Sequence, residues 1–225
     1  MKIFVDSANI QEIERFERLG VVDGVTTNPS LLAKEKSDPA LQTERIVKIV
    51  KGPVSVEVVA TDFEGIVAQG RKIAGIGSNV VVKIPMISEG IRAVSLLSRA
   101  GIMTNVTLIF SPAQALLAAK AGATYVSPFV GRLDDIGERG LDLVRDIVLI
   151  LRNYQMKTKV LAASIRNVSQ VVECARLGAD VVTLPPEVID KMFMHSLTDA
   201  GLRRFLADWE GLEKQLGREI SPFKK

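Results

Sequence analysis

Lys83 stands in Val80-Val81-Val82-Lys83-Ile84-Pro85, an apolar run that otherwise reads as a buried strand. Lysine is rarely buried without a partner or a task. A desolvated lysine gives up its proton more readily and becomes an amine nucleophile suited to a carbonyl. The other reading is a lysine at the strand mouth, paired with a carboxylate and inert. Glu57 breaks Val54-Ser55-Val56-Glu57-Val58-Val59 in the same way, and glutamate is a poor strand former that is costly to bury. Its matched place on the neighbouring strand leaves a structural salt bridge or proton management beside an imine. Asp6 ends the first apolar run, where it either caps the next helix or carries chemistry. Asn28, followed by Pro29, has the form of an N-cap with proline at the first helical position. Asn105 and Thr107 lie in the fifth run, Ser127 in the sixth, and Thr183 in the eighth. Arg132, Ser164 and Arg166 follow the sixth and seventh runs. Arginine forks and hydroxyls near helix starts suit phosphate, although any one arginine there can be a plain surface charge.

These residues need elements to hold them. Short runs rich in Val, Ile and Thr, without strict alternation, fit parallel strands buried on both faces. They fall at 2–6, 24–27, 54–58, 80–84, 103–107, 125–130, 159–163 and 181–184. Between them, Asn9 with Glu12, Thr61 with Glu64, Ser111 with Gln114 and Asn167 with Gln170 have capping-box spacing. Gly20, Gly101, Gly122 and Gly178 close helices just before a strand. Eight strands alternating with helices predict a single α/β domain, a closed (β/α)8 TIM-type barrel, over 1–225. An open doubly wound sheet would carry a glycine-rich loop after its first strand, and Asp6-Ser7-Ala8-Asn9 is no such loop. Residues 187–225 read as a C-terminal helical extension with Met192, Phe193, Phe205 and Trp209. That apolar surface covers either this barrel or a second subunit.

In a barrel, functional groups gather at the C-terminal ends of the strands, and there all the polar residues above are expected to meet. Composition narrows the chemistry. The 225 residues are 47% hydrophobic and 24% charged, with a formal net charge of +3. That mild excess suits anionic small substrates. No run of basic and aromatic residues points to nucleic acid, and no stretch is apolar enough to span a membrane. Met1 leads straight into a strand-like segment with no signal-like leader, so the expected location is the cytoplasm. His195 and Cys174 are the single histidine and cysteine. Both read as structural, no intrachain disulfide is possible, and no metal site of histidine and cysteine ligands can be built.

Four segments together resemble the transaldolase family, in its short, fructose-6-phosphate-aldolase-like branch, over nearly the whole chain. They are Gly24-Val25-Thr26-Thr27-Asn28-Pro29-Ser30-Leu31, Val81-Val82-Lys83-Ile84-Pro85, Ser127-Pro128-Phe129-Val130-Gly131-Arg132-Leu133-Asp134 and Ala162-Ala163-Ser164-Ile165-Arg166-Asn167. The resemblance implies transfer of a dihydroxyacetone unit between sugar phosphates in the pentose phosphate pathway. Sedoheptulose 7-phosphate and glyceraldehyde 3-phosphate would be exchanged with erythrose 4-phosphate and fructose 6-phosphate. It implies a Schiff base on Lys83, with Asp6 taking the C4 hydroxyl proton. Glu57 and Thr107 would hold a water, and Asn28, Asn105 and Ser127 would bind substrate hydroxyls. Arg132, Ser164 and Arg166 would hold the phosphate. It implies no cofactor and a homo-oligomer, a pentamer or decamer. True fructose-6-phosphate aldolases of this branch carry Gln and Tyr where this chain has Glu57 and Phe129, so both positions lean to transfer over release of free dihydroxyacetone.

Overall fold

The structure is a computed structural model and describes residues 1–218. Its apolar runs become eight strands: β1 (Lys2–Asp6), β2 (Gly24–Thr26), β3 (Val54–Glu57), β4 (Val80–Pro85), β5 (Thr104–Ile109), β6 (Tyr125–Pro128), β7 (Lys159–Ala162) and β8 (Val181–Leu184). Each pairs in parallel with its neighbour, and β8 returns to β1, closing the barrel expected from the sequence. Closure removes both sheet edges, so every strand is hydrogen-bonded on two sides.

Helices α1 (Ile10–Leu19), α2 (Pro29–Lys34), α3 (Pro39–Ile49), α4 (Phe63–Ala74), α5 (Ser88–Arg99), α6 (Pro112–Lys120), α7 (Val130–Asp134), α8 (Gly140–Asn153) and α9 (Val168–Leu177) alternate with the strands. Local chemistry sets their ends. The Asn9, Ser111 and Asn167 side chains each accept a backbone N–H in the first turn of α1, α6 and α9. Only Ser111 and Gln114 form the full reciprocal box; Glu12 instead accepts from the Ser7 hydroxyl. Helix α4 starts one residue later than the Thr61–Glu64 spacing suggests, because the stronger acceptor Asp62 caps it through the Gly65 N–H. Gly20 and Gly178 take left-handed C-cap positions, at φ 68° and 84°, that a Cβ would penalise.

Two buried shells result. Side chains such as Ile13, Ile46, Ile66, Leu97, Val144 and Ile147 fill the layer between strands and helices. Inside the barrel, Phe4, Val81, Tyr125, Leu161 and Val181 form a separate plug, with the Phe4 and Tyr125 rings edge-on at 6.3 Å. Strand alternation then lifts the next inward residues, two positions on, above that plug.

Six of the eight strands end at a different residue from the sequence reading, β3, β4 and β7 by a single position. Strand β5 runs to Ile109, past the expected 107, with a register shift against β6 between Val106 and Ile109 and Leu108 at φ 59°. Strand β6 stops at Pro128, because Val130 already opens α7. Strand β2 ends at Thr26, one short of the expected span.

Contacts divide the chain into two compact units, Met1–Ile189, which holds the barrel, and a second from Asp190 onward. Helix α10 (Pro186–Met192) follows β8, and α11 (Ser196–Leu216) lies in the second unit. His195 is its N-cap, with Nδ1 accepting from the Leu197 N–H at 3.1 Å, a structural role as expected. No residue of α11 is buried. Residues 219–225 of the expected C-terminal extension lie outside the described residues.

Candidate active site

Parallel register places Glu57 beside Lys83, and Lys83 beside Asn105, in one row across β3, β4 and β5. Lys83 is 6% exposed. Its Nζ lies 3.0 Å from Glu57 Oε2 and donates to the Thr27 carbonyl at 3.0 Å. Two acceptors thus aim the amine at the top of the barrel, where an exposed lysine would sample many rotamers. The salt bridge foreseen for Glu57 is present. Because Glu57 and Lys83 also line one cavity, the pair is open to a ligand and not sealed in the core.

Around this pair the inward side chains form a polar layer. The Ser127 hydroxyl donates to Asn105 Oδ1 at 2.7 Å, and Asn105 Nδ2 donates to Ser55 Oγ at 3.2 Å. Across the barrel the Thr26 hydroxyl donates to Asp6 Oδ1 at 2.6 Å and lies 2.6 Å from the Thr183 hydroxyl. Asp6 is not the cap of α1, which is Asn9. Burial pushes the Asp6 carboxyl above the usual carboxylate range, while Lys83 and the Thr26 hydrogen bond pull it down; Glu187 adds to the rise and Lys34 opposes it. The Thr107 hydroxyl is buried with no hydrogen-bond partner among the described residues, and buried polar groups rarely stay so without a reason.

Two adjoining cavities open here. A smaller one, about 120 Å³, is bordered by Asp6, Thr26, Ser127, Ser164 and Thr183. A larger one, about 450 Å³, is bordered by Ser30, Lys34, Glu57 and Thr107. Asn28, Lys83, Phe129 and Arg132 line both. Asn28 uses Oδ1 to cap α2 at the Leu31 N–H, 2.9 Å away, so the capping reading and the site reading both hold for it. Phe129 packs edge-on against Phe110 at 5.7 Å, and the Arg132 guanidinium sits 4.9 Å over its ring. That contact carries the arginine head toward the mouth.

Ten of the eleven residues singled out from sequence border these cavities or hydrogen-bond to residues that do. Arg166 does not line them. Its Nη2 donates to Asp135 Oδ2 at 2.7 Å on the surface. The sequence reading passed over Thr26 and named Thr183 without giving it a role. Their signal was the period-two alternation from Gly24 to Thr26 to Asn28, which puts Thr26 on the inner face. Cys174 is fully buried, and burial pushes its thiol up to about 12, as befits a core residue. No group of three or more histidine, cysteine or acidic side chains is placed to hold a metal among the described residues, and none of their helices is long and apolar enough to cross a membrane.

Comparison with known proteins adds to this geometry. The family model described as Transaldolase/Fructose-6-phosphate aldolase matches residues 3–216. The chain is 56% identical over 216 residues to a probable transaldolase of Nitrosopumilus maritimus, covering 96% of this chain and 97% of that one. It is 57% identical over 217 residues to a probable transaldolase of Kosmotoga olearia, covering 96% and 100%. Among solved structures, inosine 5' monophosphate dehydrogenase from Legionella pneumophila superposes with a TM-score of 0.59 at 15% identity. That match covers 84% of this chain and 58% of the other, and it is a likeness of fold alone.

Proposed function

The chain belongs to the transaldolase/fructose-6-phosphate aldolase family and is an aldolase of transaldolase type, and from that premise we propose that it transfers a dihydroxyacetone unit between sugar phosphates through an imine on Lys83. The observation that carries the reading is the buried Lys83 amine, held by Glu57 and the Thr27 carbonyl beneath a cavity that Asp6 also borders. The Lys83 amine adds to the C2 carbonyl of a ketose phosphate, and loss of water gives a protonated imine. Asp6 takes the C4 hydroxyl proton. The C3–C4 bond breaks, its electron pair moves into the imine to give an enamine, and the aldose phosphate leaves. An acceptor aldehyde then adds to the enamine carbon, Asp6 returns the proton, and hydrolysis frees the new ketose phosphate. A carboxyl raised toward working pH suits a group that must both take and give a proton.

In this reading Glu57 and Thr107, whose hydroxyl has no partner among the described residues and which lines the same cavity, hold the water lost and regained at the imine. Asn28 and Ser127, which line the smaller cavity, bind substrate hydroxyls in this reading, with Asn105 behind Ser127, and Arg132 with Ser164 binds the phosphate. Arg166 joins them only by leaving Asp135, a surface pair that costs little to break. The exchange proposed is of sedoheptulose 7-phosphate and glyceraldehyde 3-phosphate with erythrose 4-phosphate and fructose 6-phosphate, as in the pentose phosphate pathway. Release of free dihydroxyacetone is the second reading; Glu57 and Phe129 favour transfer, because Phe129 brings an apolar ring, 9% exposed, to the mouth where a tyrosine would bring a hydroxyl that can order water.

Borohydride reduction in the presence of fructose 6-phosphate, followed by intact mass and peptide mapping, tests the mechanism. A three-carbon adduct on Lys83 is the expected result, absent from Lys83→Ala. No adduct, where a Schiff-base aldolase is trapped under the same conditions, would overturn it.

A further inference from the structure

Thr26 and Thr183 are both buried, and their hydroxyl oxygens lie 2.6 Å apart on strands β2 and β8, either side of Asp6 on β1. A hydroxyl has one proton to donate and two lone pairs. Thr26 spends its proton on Asp6 Oδ1, at 2.6 Å. Its oxygen is therefore the acceptor in the second contact, and Thr183 is the donor. The result is a directed chain, Thr183 to Thr26 to Asp6, inside the polar layer.

We propose that Thr183, acting through Thr26, is a positioning residue for the aldol step: it holds the Asp6 carboxylate by Oδ1 so that Oδ2 faces the substrate C4 hydroxyl. This rests on the reading of Asp6 as the group that takes that proton. Aligned hydroxyl donors polarise one another, so the second hydroxyl strengthens the bond made by the first. Both favour the carboxylate over the acid and offset the burial that opposes it. The other charges acting on Asp6 are Lys83 on β4, Lys34 on α2 and Glu187 on α10; Glu57 on β3 pairs with Lys83. None of them is altered when Thr183 loses its hydroxyl.

The test replaces Thr183 with Val, which keeps the shape and removes the donor, and with Ser, which keeps the donor. Thr183→Ala serves if the Val variant fails to fold. Borohydride trapping of Lys83 with dihydroxyacetone, a ketone with no C3–C4 bond to cleave, reports imine formation alone. In Thr183→Val or Thr183→Ala that trapping is expected at the wild-type level, while kcat for fructose 6-phosphate cleavage with an acceptor falls about 3- to 10-fold. A general base must be deprotonated, so losing a bond that favours the carboxylate moves the acid limb of kcat/KM to higher pH, by roughly half a unit to one unit. Thr183→Ser restores both. Wild-type kcat and an unmoved acid limb in a folded, trappable variant would overturn the inference, as would a raised KM alone, which would make Thr183 a plain substrate contact. Failure to trap Lys83 in the unmodified enzyme would instead overturn the imine mechanism itself.

Discussion

The proposed chemistry rests on one buried amine, Lys83, paired with the half-buried Glu57 carboxylate. Breaking such a pair by removing one partner is costly, because it strands the other charge; Glu57→Gln keeps an acceptor near Lys83 and avoids the stranding. Phe129 borders the same space, with Phe110 and Arg132 fixing its ring. The double variant Glu57→Gln with Phe129→Tyr is therefore expected to stay folded and to raise the fraction of fructose 6-phosphate cleaved to free dihydroxyacetone when no acceptor aldehyde is supplied. Product analysis by chromatography checks it, and an unchanged product ratio would remove the reason for preferring transfer. At this scale the sequence was most informative where residue type contradicted surroundings. Lysine and glutamate in apolar strands stood out, whereas Thr26 and Thr183 did not, because threonine is at home in any strand.

At the scale of elements, the barrel interior is built on alternation. Phe4 fills the plug below Asp6, and its ring needs the space that Gly24 leaves. A Cβ at Gly24 would lie 2.5 Å from the Pro53 carbonyl oxygen and 2.8 Å from Phe4 Cε1. Backbone cannot yield there as a flexible side chain would. Gly24→Ala is expected to cost about 1–3 kcal/mol as an overpacking defect, and so to lower Tm by roughly 2–10 °C in thermal unfolding. It should also weaken turnover, since the ring it displaces supports the strand that carries Asp6. An unchanged Tm would mean that β1 and β2 part more easily than this geometry implies. The elements themselves were legible from their caps and glycines. The bulge at Leu108 was not, because a register shift is decided between two strands and leaves no pattern in either alone.

At the scale of the whole molecule, α11 exposes Leu202, Phe205, Leu206 and Trp209 at helical spacing, with Phe205 66% exposed. A row of large apolar side chains left in water marks an interaction surface. A homo-oligomer that covers this row is our expectation, with a pentamer or decamer as the assembly implied by the family resemblance. Sedimentation of the unmodified chain is expected to give a closed oligomer, and Phe205→Ser with Trp209→Ser is expected to shift it to smaller species while Lys83 can still be trapped. A monomer in the unmodified chain would sink that expectation.

The sequence by itself determined the strand-helix alternation, and with it the closed barrel, because buried parallel strands and capped helices are written in local patterns of residue type. It also determined that Lys83 and Glu57 share a row, since adjacent strands of matched length leave little choice of register. Only the tertiary structure decided what closure does. It brings β8 beside β1, so that Thr183, far along the chain, lies within hydrogen-bonding distance of Thr26, whose hydroxyl donates to Asp6. It also turned Arg166 outward to Asp135 while leaving Arg132 at the mouth. Both outcomes depend on which side chains meet across the fold, and a meeting between distant residues has no signature in the residues on either side of each.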